Sequence, residues 1–85
     1  MAGRVVHCKR ERYDVYCGRP SKFGNPFRIG RDGTRLEVIE KYRDWIMKNP
    51  KLLYDVKREL RGKVLGCFCR PKACHCDVLV EIANA

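Results

Sequence analysis

Lys63-Val64-Leu65-Gly66-Cys67-Phe68-Cys69 is the stretch on which the fold turns. It is short and mostly apolar, and a run with apolar residues on both faces reads as a buried strand of the kind a parallel sheet holds at its centre. Gly62 stands just before it, a residue suited to the left-handed conformation that ends a helix. Upstream, Leu52, Leu53, Val56 and Leu60 recur at helical spacing, and Leu36, Ile39, Tyr42, Trp45 and Ile46 form a second helical stripe. Asn49-Pro50 separates the two stripes, and Pro50 suits the first position of a new helix. Thr34-Arg35-Leu36-Glu37 has the form of a capping box, in which hydroxyl and carboxylate each accept a free backbone N–H. The spacing predicts one helix over about residues 34–48 and another from Pro50 towards Gly62. Both stripes read as core.

Outward from this centre, Arg4–Cys8 and Tyr13–Cys17 are short β-branched or aromatic runs separated by the charged turn Lys9–Arg12, and both read as strands. Beyond Arg70-Pro71-Lys72, Val78, Leu79 and Ile82 share one side of a short closing helix with Asp77 suited to its N-cap. The order β-β-α-α-β-α predicts an α/β fold over residues 1–85. It is a single domain of two or three layers with about three strands and a parallel pair around the helical crossover. A parallel pair would bring the loop after Tyr13–Cys17 and the segment after Lys63–Cys69 to one sheet edge, where ligands bind in open α/β sheets. Antiparallel or separated strands would leave the two segments unrelated. Were the first two strands antiparallel neighbours, Cys8 and Cys17 could form a cross-strand disulfide or supply extra ligands, with core packing the plainer reading.

The formal charge is +9, and the first 31 residues carry eight basic and two acidic side chains. Such asymmetry predicts a positive face that attracts phosphates, hence a nucleotide or nucleic acid as partner, against the alternative of a solvated surface. No run approaches the roughly 18 apolar residues of a membrane span, and Met1-Ala2-Gly3-Arg4 lacks the apolar core of a secretory signal. The expectation is a cytoplasmic protein without membrane association. In a reducing compartment its six cysteines favour metal binding, catalysis or packing over disulfides.

Two segments carry chemistry. In Gly18–Phe27 the glycines and prolines forbid a regular element, and Arg19, Ser21, Lys22 and Asn25 supply cations and polar groups for an anion. Phe23 and Phe27 could stack on a base, with core packing the competing reading. The second segment offers Cys67, Cys69, Cys74, His75 and Cys76, thiolate and imidazole groups that can close a tetrahedral zinc site. Cys-x-Cys spacing differs from the usual Cys-x₂₋₄-Cys knuckle, and buried cysteines acting as small hydrophobes are the alternative. A catalytic set is also present, with Cys74 as nucleophile, His75 as acid–base and Asp77 to orient it.

Tyr13–Arg19, Gly24–Phe27 and Leu65–Leu79, matched in order and spacing with the helical pair between them, resemble the family known as domain of unknown function 4326. The resemblance spans about residues 13–83. It implies recurring positions at Gly18, Arg19, Gly24, Asn25, Pro26, Cys67, Cys69, Cys74, His75 and Asp77, and departures at Cys17 and Cys76. It brings no activity with it. The residues favour binding of a phosphate-bearing ligand in a cleft between the Gly18 loop and the Cys67–Asp77 segment. The alternatives are an enzyme acting on a nucleotide-like substrate through the Cys/His set, and a zinc- or disulfide-stabilised module of a nucleoprotein assembly.

Overall fold

The computed structural model describes residues 3–70 and 72–85. Its elements are β1 (Arg4–His7), β2 (Val15–Tyr16), α1 (Arg35–Met47), α2 (Pro50–Glu59), β3 (Val64–Cys67) and α3 (His75–Ala83), an α/β fold in the expected order. The apolar run at 64–67 is central: the sheet order is β1-β3-β2, and both outer strands run parallel to β3.

The first two strands are therefore not antiparallel neighbours, and Cys8 and Cys17 do not face each other across a ladder. The chain must return from the end of β1 to the start of β2, and it does so over the sheet. Asp14 clips this crossing to β3, donating its backbone N–H to the Val64 carbonyl (2.7 Å) and accepting the Val64 N–H on its carboxylate (2.8 Å). Tyr13 then lies against Gly66, where a Cβ would stand 2.7 Å from the tyrosine Cγ. Only glycine leaves room for that ring.

Residues alternate in direction along a strand. The row Val5-Leu65-Val15 faces the helices, and the row Val6-Gly66-Tyr16 faces the crossing segment. Leu65 packs with Tyr42 and Ile46 of α1, Val56 of α2 and Val78 and Leu79 of α3, all fully buried or nearly so. The result is two layers, with the helices gathered on one face.

Local chemistry sets the helix boundaries. Thr34 and Glu37 close the predicted capping box, with the Thr34 N–H donating to Glu37 (2.8 Å) and the Glu37 N–H donating to the Thr34 hydroxyl (3.3 Å). Asn49 caps α2 by accepting the Leu52 N–H, Pro50 follows at its first turn, and Gly62 adopts φ +72° after its end. Two expectations are corrected. Leu36 is 69% exposed and Val38 takes its place in the core, because the apolar stripe of α1 is centred one residue further round. Helix α3 begins at His75, with Cys74 and not Asp77 at the N-cap; Asp77 sits three residues in and accepts the Cys74 N–H (3.1 Å), a box built with sulfur in place of a hydroxyl.

Candidate functional site

Because β2 and β3 are parallel neighbours, the segments that leave their carboxyl ends meet. Residues of the Gly18 loop and of Cys67–His75 line one cleft of about 370 Å³, with Val38 and Ile39 of α1 on its wall. The topology thus brings together the two segments that the sequence singles out.

The loop wall is stapled by its own side chains. Arg19 donates from Nε to the Asn25 carbonyl (2.9 Å) and from Nη2 to the Phe27 carbonyl (3.2 Å). Asn25 is buried, donates to the Val38 carbonyl (3.2 Å) and accepts the Phe27 N–H (2.9 Å), so its amide fixes the loop to α1. Phe27 borders the cleft, while Phe23 is buried in the core beneath it, where its carbonyl accepts the Tyr42 hydroxyl (2.8 Å).

Two of the expected anion ligands lie elsewhere. Lys22 turns to α2 and pairs with Glu59 (2.6 Å) and Asp55 (3.3 Å); the Glu59 pairing, followed by that to Asp55, holds its ammonium above the usual lysine range against some loss of hydration. Ser21 does not line the cleft, and its hydroxyl is buried without a hydrogen-bond partner. The second cation on the cleft is Arg35, which donates to the Ala73 carbonyl (3.1 Å). Its sequence signal is faint but physical: an arginine in the first turn of a helix opposes the helix dipole, so something else must hold it there. Phe68, 56% exposed, is the other unforeseen group; it meets Tyr16 edge-on at 5.9 Å and forms the rim.

The floor of the cleft is sulfur. Cys67 at the end of β3 and Cys74 at the cap of α3 place their Sγ atoms 3.2 Å apart, and the sulfurs of Cys67, Cys74 and Cys76 all lie within 4.8 Å of one another in a buried group that could hold a metal ion. Cys67 accepts a hydrogen bond from Cys74, and that bond, then Cys76 and the backbone of Cys69 and Arg70 beside it, draw its thiol far below the usual range despite burial. Cys74 is pushed up chiefly through its bond to Cys67, and Cys76 is pushed up by the thiols around it, Cys17 first, and by burial. The backbone of Cys76 also donates to the Cys74 sulfur (3.2 Å). Cys69 is half-buried on the cleft wall and stands outside this group.

His75 is buried, and burial lowers its pKa. Its Nε2 lies 2.7 Å from the Cys17 carbonyl, so this nitrogen carries the hydrogen, and Nδ1 is 4.0 Å from the Cys74 sulfur. Asp77 does not orient His75. Its carboxylate accepts the Cys74 N–H and pairs with Arg70.

Residues 4–85 match the family described as Domain of unknown function (DUF4326). The chain belongs to that family. It is 36% identical over 85 residues to an uncharacterised 12.4 kDa protein in the nrdA-td intergenic region of Enterobacteria phage T4, a match covering 95% of this chain and 77% of the phage protein. An uncharacterised protein of Acanthamoeba polyphaga mimivirus is 33% identical over 87 residues, covering 81% of this chain and 65% of its own length. No solved structure matches the chain. Among the described residues, no helix is long and apolar enough to cross a membrane.

Proposed function

We propose that this DUF4326 domain binds a phosphate-bearing ligand, a nucleotide or a nucleic-acid strand, in the cleft between the Gly18 loop and the Cys67–His75 segment, above a zinc ion held by Cys67, Cys74 and Cys76. The observation that carries the reading is the meeting of two guanidinium groups, Arg19 and Arg35, with Phe27 and Phe68 on the borders of one cleft. Arginine offers several N–H donors in a planar fork suited to phosphate oxygens, and Arg35 uses one of them on Ala73. An aromatic rim offers a base a face on which to stack. The net charge of +9 adds long-range attraction.

Zinc fits the floor by donor chemistry: three buried sulfurs within reach of one another, with the Cys76 backbone N–H donating to the Cys74 sulfur. When bound, zinc would neutralise thiolate charge and fix the ends of β3 and α3. The enzymatic alternative has less support, since Asp77 is engaged by Arg70 and the Cys74 backbone and does not orient His75.

The test is fluorescence anisotropy with a labelled single-stranded oligonucleotide and, separately, a labelled nucleoside triphosphate, at several salt concentrations. Arg35→Gln should weaken binding and reduce the salt slope by about 0.7 for each phosphate that it no longer neutralises on a single strand. Lys22→Ala should leave both unchanged. An Arg35→Gln protein with native circular dichroism and undiminished binding would sink the proposal.

A further inference from the structure

One face of the sheet packs on the helices, and the other carries the crossing segment. Across that second face and the end of β1, aromatic rings touch in a row. His7 meets Phe68 edge-on with ring centroids 5.9 Å apart, Phe68 meets Tyr16 edge-on at 5.9 Å, and Tyr16 meets Tyr13 at 6.4 Å. Phe68 is 56% exposed and Tyr13 43%, while His7 and Tyr16 are half-buried.

Core packing does not account for this row, since none of its four members belongs to the buried core. Aromatic rings gathered at the surface instead mark a place where something binds. Two of the rings are also held in position. Tyr13 rests on Gly66, and the Tyr16 hydroxyl donates to the Arg19 carbonyl (3.1 Å), which ties the row to the Gly18 loop.

Charge identifies the occupant. The turn between His7 and Tyr13 is Lys9-Arg10-Glu11-Arg12, and all four side chains are exposed. Glu11 pairs with Arg4 (3.3 Å), whereas among the described residues Lys9, Arg10 and Arg12 form no ion pair. Arg10 borders a second hollow of about 250 Å³ together with His7 and Arg70, the latter engaged by Asp77. At the other end of the row, Tyr16 and Phe68 line the cleft that holds Arg19 and Arg35. Rings with cations at both ends suit a polyanion that offers flat, unpaired groups. An unpaired nucleic-acid strand is such a polyanion, with a phosphate for each cation and a base face for each ring.

We infer that the ligand of the cleft is a single strand of nucleic acid and not a free nucleotide. One phosphate sits between Arg19 and Arg35, adjoining bases stack on Phe68, Tyr16 and Tyr13, and the turn Lys9–Arg12 takes phosphates further along. The inference rests on the phosphate-binding reading of the cleft and names its ligand; it does not depend on zinc.

The experiment is fluorescence anisotropy on the full-length protein with a labelled oligothymidylate and oligouridylate of about ten nucleotides, a duplex of the same length and a nucleoside triphosphate. At least one single strand should bind ~10-fold or more tightly than the duplex and the triphosphate. Tyr13→Ala should weaken that strand by about 5- to 150-fold, as expected for one lost stacking partner, whereas Tyr13→Phe should retain it and neither should alter triphosphate binding. The double variant Arg10→Gln, Arg12→Gln should reduce the salt slope for the strand by about 0.7 for each phosphate that it no longer neutralises. A duplex or triphosphate bound as tightly as the strands overturns the inference while leaving a phosphate site in the cleft. So does undiminished strand binding by Tyr13→Ala protein with native circular dichroism, or an unaltered salt slope in the arginine variant. Failure of every probe to bind overturns the reading of the cleft and this inference with it. Should Tyr13→Ala not fold, the ranking of probes on wild-type protein and the arginine variant decide the matter.

Discussion

The sulfur of Cys67, the last residue of β3, lies 3.2 Å from that of Cys74, the cap of α3, so that the end of one element touches the start of the next. Metal-free protein therefore holds two thiols ready to join. On treatment with a low-molecular-weight disulfide such as oxidised glutathione, both S–H bonds should be replaced by one S–S bond. The two electrons and two protons reduce the small disulfide to two thiols. Peptide mapping should find a Cys67–Cys74 link and a mass loss of two hydrogens; zinc-loaded protein should resist. A link through Cys69 would contradict this geometry.

Metal removal should cost stability, because the cluster ties the end of β3 to the start of α3. If zinc binds only the folded chain, metal held at a hundred times its dissociation constant adds about 2.7 kcal/mol. Chelation should remove that contribution, read as a lowered midpoint in urea. Cys67→Ala should abolish the metal dependence, whereas Cys69→Ala should retain it.

Gly66→Ala tests the crossing over the sheet. The new methyl would meet the Tyr13 ring at 2.7 Å, and overpacking of this kind costs typically 1–3 kcal/mol. The double variant with Tyr13→Ala should recover part of that loss, giving a coupling energy of about 0.5–3 kcal/mol in a denaturation cycle. Additive losses would mean that the clash lies elsewhere.

The start of α1 should be acid-sensitive. The backbone N–H of Thr34, and then its hydroxyl, hold the Glu37 carboxyl below its ordinary value of 4.5. A carboxyl with a depressed folded pKa is charged and stabilising above its unfolded value, and its contribution disappears as the pH falls through the folded one. Fraying at Thr34 should thus set in below pH 4.5, seen as faster amide exchange there, and Glu37→Gln should flatten the dependence. A profile unaltered by that substitution would count against the capping box as its source.

Most of the framework is legible in the residues. Capping signals at Thr34 and Asn49, the apolar run at Val64–Cys67 and the glycine at 62 each act through a few neighbouring atoms, so local sequence reveals them. The parallel pairing of β2 and β3 follows from the helices between them, and with it the meeting of the two chemical segments. What escapes the sequence depends on distance. Lys22 looks like an anion ligand until Asp55 and Glu59, more than thirty residues on, are seen to engage it. Arg35 looks like an ordinary helical cation until the Ala73 carbonyl is found beside it. The start of α3 is missed for a local reason, since sulfur is an uncommon cap and Asp77 has the more familiar side chain.

The strand order also governs the sequence of events at the ribosome. β1 and β2 emerge first, yet neither pairs with the other; both bond only to β3, whose first residue is Val64. A nascent chain that ends before that residue has two edges and no middle, so the sheet cannot begin to form until Val64 and the residues after it have been made. Any truncation upstream of residue 64 should therefore remove the whole sheet and not merely its last strand, leaving at most the helices to form on their own.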